Sequence, residues 1–272
     1  MIPESIQMRN GISMPRLGLG VWKAAKGKET RSAVTRAIEV GYRHIDTAAM
    51  YGNEEDVGLA VRESGLPRAE VFVTTKLWNS DQGYEQALRA FELSMSKLKL
   101  GYIDLYLIHW PVTGLRLDSW RALEKLYREG LVKSIGVSNY MVNHLNELKA
   151  FAEILPAVNQ IELHPFNQQN AVVDWCSKNE IVVQAYSPLT RGDRLNHPVI
   201  VDVANKSGRT PAQVLLRWLI QKNLVVLPKS TNPGRIIENS RIFDFDLDED
   251  AVMKLNSLDE NQPIGWDPRT ID

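Results

Sequence analysis

The chain has 272 residues, of which 44% are hydrophobic and 24% are charged, and its formal net charge is −1. Because this composition is close to that of an average soluble globular protein, it excludes a disordered tail, a collagen-like chain and a small disulfide-linked scaffold. The balance of 32 basic against 33 acidic residues argues against a nucleic-acid or acidic-membrane partner, and we expect neither.

The N-terminal segment SIQMRNGISMPRLGLG holds two short extended runs around Asn10-Gly11, which predicts a β-hairpin. After it, short apolar runs alternate with amphipathic helical patterns. The predicted strands span 16–20, 44–46, 71–76, 103–109, 134–137, 157–160, 182–185 and 225–228. The predicted helices span 30–40, 54–64, 84–98, 119–129, 142–150, 171–179 and 211–221. A short helix-like segment at 234–240 follows the last strand.

The alternation of about eight strands with helices predicts a closed (β/α)8 barrel of the TIM type, which usually needs about 250 residues. We expect one α/β domain over residues 1–272, with the hairpin before the barrel and an extra helix and loop after it. An open, doubly wound sheet is the alternative. Against it, Gly18-Leu19-Gly20 lacks the third glycine of a dinucleotide-binding fingerprint, and no helical pattern begins there.

Four titratable residues fall at predicted strand ends or shortly after them: Asp46, Tyr51, Lys76 and His109. Because the C-terminal ends of barrel strands converge on one mouth, we expect these side chains to face a single cavity. The pKa of a tyrosine is ordinarily about 10, and we expect the Lys76 ammonium to lower the pKa of Tyr51. Asp46 would keep Lys76 charged, and neutral His109 would hydrogen-bond a substrate oxygen. The alternatives are a structural ion pair for Asp46 and Lys76, and a buried core residue for His109.

Several segments of the sequence resemble the signature motifs of the aldo-keto reductases. They are GYRHIDTAAMYGNE at 41–54, TTKLW at 74–78, DLYLIHWP at 104–111, GVSN at 136–139, NQIELHP at 159–165 and LPKS at 227–230. The resemblance covers nearly the whole chain in order, and it points to the prokaryotic diketogluconate and methylglyoxal reductase-like members. It implies NADPH-dependent reduction of small aldehydes, ketones or keto-sugars by hydride transfer. The implied catalytic residues are Asp46, Lys76, His109 and the general acid Tyr51.

The resemblance also implies where NADPH binds. Ser138, Asn139 and Gln160 match the residues that bind the nicotinamide carboxamide, and Tyr186 matches the aromatic residue that stacks on the ring. The full set of expected cofactor contacts is Ser138, Asn139, Gln160, Tyr186, Ser187, Leu189, Lys229, Ser230, Arg235, Glu238 and Asn239. Lys229 and Arg235 flank the start of the segment at 234–240, where barrels commonly bind phosphate. We therefore expect NADPH to be preferred to NADH, although two surface cations with no ligand are the alternative.

Aromatic residues follow several strand ends. Trp22, Trp78 and Trp110 each come shortly after a predicted strand, and we expect them to line the substrate pocket. The remaining tryptophans are predicted to serve in packing, and they are Trp120, Trp175, Trp218 and Trp266. His44 is predicted to be structural and to point away from Asp46. The short loops over the mouth favour an open site with broad tolerance for small carbonyl compounds.

Two other functions fit a barrel with a lysine at a strand end. Lys76 could form a Schiff base, as in an aldolase or lyase, although a nearby Asp46 would oppose this by keeping the lysine charged. A non-catalytic NADPH-binding module is the other alternative, and the presence of both Tyr51 and His109 argues against it. The barrel fold by itself does not distinguish among these functions.

The sequence also bears on compartment, metal and assembly. Cys176 is the only cysteine, the start MIPESIQMRNG lacks the pattern of a secretory signal, and no run reaches about 18 apolar residues. No HExxH, CxxC or P-loop pattern occurs, so we predict no metal site. We expect a cytoplasmic protein without a membrane span. The resembling family is mostly monomeric, which implies a monomer.

Overall fold

The computed structural model describes residues 4–272. It begins with the predicted hairpin, in which strand β1, Ser5–Gln7, pairs antiparallel with strand β2, Ser13–Pro15. Gly11 lies in the connecting turn with a φ of 80°, a backbone conformation that glycine adopts without strain. The Asn10-Gly11 signal therefore marks the turn correctly.

Eight parallel strands follow in chain order, each hydrogen-bonded to the next. Their bounds are β3 Leu19–Gly20, β4 His44–Asp46, β5 Phe72–Leu77, β6 Leu105–Ile108, β7 Ile135–Ser138, β8 Val158–Glu162, β9 Val182–Tyr186 and β10 Val225–Leu227. The last strand also bonds back to the first: the Gly18 amide donates to the Val226 carbonyl at 2.9 Å, and the Val226 amide donates to the Arg16 carbonyl at 2.8 Å. These bonds close the sheet, so the predicted (β/α)8 barrel is confirmed.

Helices surround the barrel and follow its strands. Their bounds are α1 Lys28–Glu39, α2 Glu54–Glu63, α3 Tyr84–Leu98, α4 Arg116–Arg128, α5 Val142–Phe151, α6 Asn170–Lys178, α7 Pro198–Ser207, α8 Pro211–Gln221, α9 Pro233–Ser240 and α10 Glu249–Asn256. Helix α7 was not predicted, although Pro198 at its first turn and Gly208, with a φ of 63°, at its C-terminus are ordinary helix boundaries. No helix within residues 4–272 has the length and apolar character needed to span a membrane.

The barrel interior is apolar at one end and polar at the other. Phe72, Leu105, Val158, Val182 and Val225, which begin their strands or lie next to the beginning, form one buried cluster. Met8 and Met14 of the hairpin region belong to the same cluster, so the hairpin closes this end. Because alternate residues of a strand share a face, the next inward positions lie toward the C-terminal mouth, where the polar residues gather.

The prediction that His44 points away from Asp46 is wrong, because residues two apart on a strand share a face. His44 is fully buried, with Nε2 3.1 Å from Thr74 Oγ1 and Nδ1 3.3 Å from the Pro15 carbonyl oxygen. A carbonyl oxygen only accepts, so Nδ1 carries the proton and Nε2 accepts from Thr74. Burial lowers the pKa of His44 to about 4, and both nitrogens are occupied by protein atoms.

Candidate active site

Lys76 and Asp46 form a buried ion pair at the C-terminal ends of β5 and β4. Lys76 Nζ lies 2.6 Å from Asp46 Oδ1 and 2.8 Å from the Thr47 carbonyl oxygen, and its third close oxygen is the Tyr51 hydroxyl at 3.4 Å. An ammonium has three donors, so these three oxygens account for all of them. Burial lowers the pKa of Lys76, and the charge and hydrogen bond of Asp46 oppose that shift.

Tyr51 ends a short 3-10 helix, Ala49–Tyr51, directly after β4. The expectation that Lys76 lowers the pKa of Tyr51 is wrong: burial of the phenol raises its pKa well above the usual value, and the negative charge of Asp46 adds to this. The physical reason is that Asp46 compensates the ammonium charge, while desolvation penalises the phenolate. Tyr51 is therefore held in its protonated form beside Lys76.

His109 follows β6 and lies against two aromatic rings. Its ring centroid is 5.8 Å from that of Tyr51 and 5.1 Å from that of Trp78, both edge to face. Burial and the nearby charge of Lys76 lower the pKa of His109 well below its usual value, so the imidazole is neutral. Among the described residues, no partner reaches its buried Nδ1. The structure thus brings all four candidate catalytic residues together.

Four of the expected cofactor residues form one hydrogen-bonded group around these residues. Asn139, held in a left-handed conformation with a φ of 63°, donates from Nδ2 to the His109 carbonyl at 3.0 Å and accepts from the Tyr186 hydroxyl at 2.8 Å. Ser138 Oγ donates to the Gln160 carbonyl at 2.9 Å. Gln160 in turn donates from Nε2 to Asp46 Oδ2 at 2.8 Å. The group is continuous with the Asp46–Lys76 pair, a link that spacing in the sequence does not reveal.

The other expected cofactor residues lie on two neighbouring segments. Ser187, with a φ of 50°, and Leu189 are on the loop after β9. Lys229, Ser230, Arg235, Glu238 and Asn239 are on the segment from the end of β10 through α9.

Asn232 caps α9 by accepting from the Arg235 amide at 3.1 Å. Lys229 and Arg235 are exposed, and neither forms an ion pair with any residue in 4–272. The Glu238 carboxylate, by contrast, accepts from the Thr210 hydroxyl at 2.6 Å, so one of its oxygens is already bound at the start of α8.

The three expected pocket tryptophans have different surroundings. Trp22 has two cations over its ring, with Lys23 Nζ 4.5 Å and the Arg191 guanidinium 5.0 Å from its centroid. Trp78 contacts His109, as described above, and is partly exposed. Trp110 is 8% exposed and its ring centroid is 5.7 Å from that of Trp266.

Trp266 is 68% exposed, so the prediction that it serves in packing is wrong. It belongs to the C-terminal tail, residues 257–272, where no helical or strand periodicity indicates its position. The tail is anchored by Glu162 of β8, which accepts from the Ile264 amide at 2.5 Å, the Gly265 amide at 2.9 Å and His164 Nε2 at 3.0 Å. A Cβ on Gly265 would lie 2.9 Å from Glu162 Oε2, so a larger residue there would require the Glu162 carboxylate to shift. Neither Glu162 nor Trp266 was predicted as a site residue.

Comparison with known proteins agrees with this geometry. The model of the aldo/keto reductase family matches residues 16–260. The chain is 52% identical over 266 residues to the 9,11-endoperoxide prostaglandin H2 reductase of Trypanosoma cruzi (strain CL Brener), covering 97% of this chain and 94% of that protein. It is 48% identical over 267 residues to the glyoxal reductase of Bacillus subtilis (strain 168), covering 98% of this chain and 97% of that protein. The structure of a Bombyx mori aldo-keto reductase in complex with NADP superposes with a TM-score of 0.93 at 38% identity, covering 98% of this chain and 96% of that one. This chain therefore belongs to the aldo/keto reductase family.

Proposed function

We propose that the protein reduces small aldehydes, ketones or keto-sugars with NADPH, and that Tyr51 is the general acid. One observation carries the proposal: the Lys76 ammonium lies 2.6 Å from Asp46 and 3.4 Å from the Tyr51 hydroxyl, in a site that also holds the neutral His109. The similarity to a glyoxal reductase and to an aldo-keto reductase in complex with NADP supports the same reaction and cofactor.

The residues present fit this cofactor. Amide and hydroxyl groups of Ser138, Asn139 and Gln160 suit a carboxamide, and the Tyr186 ring suits stacking on a flat heterocycle. Lys229 and Arg235, exposed beside the N-terminus of α9, suit the phosphate that distinguishes NADPH from NADH. When bound, NADPH supplies the hydride that adds to the carbonyl carbon.

The chain's own residues handle the proton. Tyr51, which is protonated, donates its proton to the carbonyl oxygen, and the Lys76 ammonium stabilises the phenolate that results. Asp46 keeps the ammonium in place. The neutral His109 orients the carbonyl oxygen by a hydrogen bond from its ring.

The same contacts argue against the alternatives. A Schiff base requires an unprotonated lysine with a free lone pair, whereas the three donors of Lys76 are directed at Asp46, Thr47 and Tyr51. A non-catalytic binding module would not need Tyr51 and His109 together beside this lysine.

Other features stay predictions. They are the single domain over residues 1–272, the monomeric state, the cytoplasmic location and the expectation that no nucleic acid is bound.

The test is NADPH consumption, followed by absorbance, with a panel of simple aldehydes, dicarbonyls and keto-sugars. The matched variant is Tyr51→Phe, which keeps the ring and removes the acidic hydroxyl. We expect it to bind NADPH normally but to lose roughly two to four decades of kcat, as expected when a general acid is removed. Absence of NADPH consumption with every carbonyl in the panel, or near-normal turnover by the variant, would contradict the proposal.

A further inference from the structure

Gln184 is a fully buried polar residue in the middle of β9, and no role is assigned to it above. It is in register with Gln160 on the neighbouring strand β8, and its Oε1 accepts from Gln160 Nε2 at 2.8 Å. Its own Nε2 points at Met14 Sδ at 3.0 Å, on the hairpin that closes the far end of the barrel. Gln184 thus connects the apolar end of the barrel to the polar mouth.

The hydrogen bonds around Gln160 have a fixed direction. Asp46 Oδ2 is a carboxylate oxygen and can only accept, so the Gln160 amide must present its nitrogen to it. The second hydrogen of that nitrogen is donated to Gln184 Oε1. Both hydrogens are therefore used by the protein. Only the oxygen of the Gln160 amide therefore remains to hydrogen-bond the carboxamide of the cofactor.

The surroundings of Gln160 Oε1 agree with a role in binding the ligand. No donor in residues 4–272 reaches Gln160 Oε1, and this atom is not among the fully shielded side-chain atoms that lack a partner. Gln160 Oε1 is thus an acceptor that has no protein partner and is not fully shielded. It is complementary to an N–H donor, such as the amide nitrogen of a carboxamide.

We propose that Gln184 is a positioning residue for the reduction: it holds the Gln160 amide so that the oxygen of that amide faces the nicotinamide carboxamide. This inference rests on the proposed function, because it takes NADPH as the ligand. No hydrogen bond joins the Gln184 side chain to any of the four residues that handle the proton. Its effect passes through Gln160, which also donates to Asp46.

The inference predicts a loss of cofactor affinity when the acceptor at position 184 is removed. In Gln184→Leu, one Gln160 hydrogen has no partner, and the amide is held only by its bond to Asp46. We expect the Kd for NADPH to rise about fivefold to tenfold, the size expected for one hydrogen bond. NADH should weaken by the same factor because both cofactors carry the carboxamide. The kcat at saturating NADPH should change much less than the Kd.

Two variants separate positioning from general damage to the barrel. Gln184→Glu should retain NADPH binding, because a glutamic acid buried at this position is expected to stay protonated and its carbonyl oxygen accepts the same hydrogen from Gln160. Met14→Leu leaves the Gln160–Gln184 bond intact and removes only the weak sulfur acceptor, so its Kd should equal that of the wild type even if its thermal stability falls.

The experiment is a titration of each protein with NADPH, NADH and the acetylpyridine analogue of NADPH, in which a methyl group replaces the amide nitrogen. Quenching of tryptophan fluorescence reports binding without turnover. We expect Gln184→Leu to weaken NADPH and NADH but not the analogue, which cannot donate to Gln160. Unchanged affinity for NADPH in a folded Gln184→Leu variant, or equal weakening of all three ligands, would overturn the inference.

The outcomes for the inference and for the proposed function are distinct. A wild type that binds NADPH but reduces no carbonyl would overturn the proposed function alone, since the role of Gln184 is judged from Kd values. A wild type that does not bind NADPH would overturn both.

Discussion

Lys76 is fully buried, yet oxygens of Asp46, Thr47 and Tyr51 surround its ammonium. A buried charge is tolerated when it is paired and its remaining donors are satisfied, and this arrangement meets both conditions. The same burial that disfavours an isolated lysine charge raises the pKa of Tyr51 and lowers that of His109. Burial therefore leaves a protonated phenol and a neutral imidazole in one site.

His44 gives a prediction about pH and stability. Its pKa is about 4 in the folded protein and about 6.5 when solvated, so the unfolded chain binds more protons than the folded one between these values. The free energy of unfolding must then fall as the pH is lowered through this range. At about 1.4 kcal/mol per pKa unit, the loss due to His44 between pH 7.5 and pH 5 is about 2 kcal/mol.

His44→Gln, which keeps a hydrogen-bonding side chain but cannot titrate, tests this. Urea unfolding at both pH values should show a smaller loss of stability for the variant than for the wild type, whatever its stability at pH 7.5. Identical losses in the two proteins would mean that His44 does not titrate as inferred.

The N-terminus of helix α9 carries positive groups that suit a bound phosphate. The Asn232 side chain accepts a hydrogen bond from the Arg235 amide, and the exposed cations Lys229 and Arg235 lie just before α9 and in its first turn. The helix contributes a partial positive charge at this end, and the two cations add whole charges. We predict that these two residues bind the extra phosphate of NADPH, and a comparison of NADPH with NADH distinguishes this role from a structural one.

Arg235→Ala and Lys229→Ala should each raise the KM for NADPH by about tenfold, the size of one charge-assisted hydrogen bond, and leave the KM for NADH nearly unchanged. Added salt should reduce the preference for NADPH in the wild type. Arg241→Ala is the matched control, because Arg241 is an exposed arginine at the other end of α9. Equal losses with both cofactors would show that Arg235 and Lys229 support the fold instead.

The C-terminal tail is the second element with a distinct role. Glu162 fixes it through two backbone amides, and this places Trp266 beside Trp110 at the barrel mouth. Burial opposes the charge on Glu162, but hydrogen bonds from His164 and from the Ile264 and Gly265 amides lower the pKa of Glu162 overall. The anchor therefore persists at neutral pH.

Trp266→Ala should raise the KM for carbonyl substrates severalfold and change their ranking, with little effect on NADPH affinity or on thermal stability, because the side chain is mostly exposed. Glu162→Gln, which loses one backbone acceptor, should shift the same KM values and speed amide exchange at Ile264 and Gly265. Met253→Ala is the control, since Met253 is 63% exposed on α10. Trp266→Ala with unchanged substrate kinetics would contradict a role in the pocket.

At the scale of the whole molecule, the closed barrel gives each strand two different environments. The hairpin residues Met8 and Met14 cover the apolar end, and the bonds from Arg16 and Gly18 to Val226 join the first and last strands. The polar side chains of Asp46, Lys76 and Gln160 lie beyond this apolar cluster, toward the mouth. This explains why Asp46, Lys76 and Gln160 come within hydrogen-bonding distance although they are far apart in the chain.

The sequence by itself determined the hairpin, the order of the strands and the candidate residues Asp46, Tyr51, Lys76 and His109, because periodicity, turn residues and motifs are local properties of the chain. Only the tertiary structure decided the protonation of Tyr51, the anchoring of the tail by Glu162 and the contact between Gln160 and Gln184. These depend on burial and on distances between strands that are distant in sequence. Local patterns do not encode desolvation or hydrogen-bond direction, and both arise when the barrel closes.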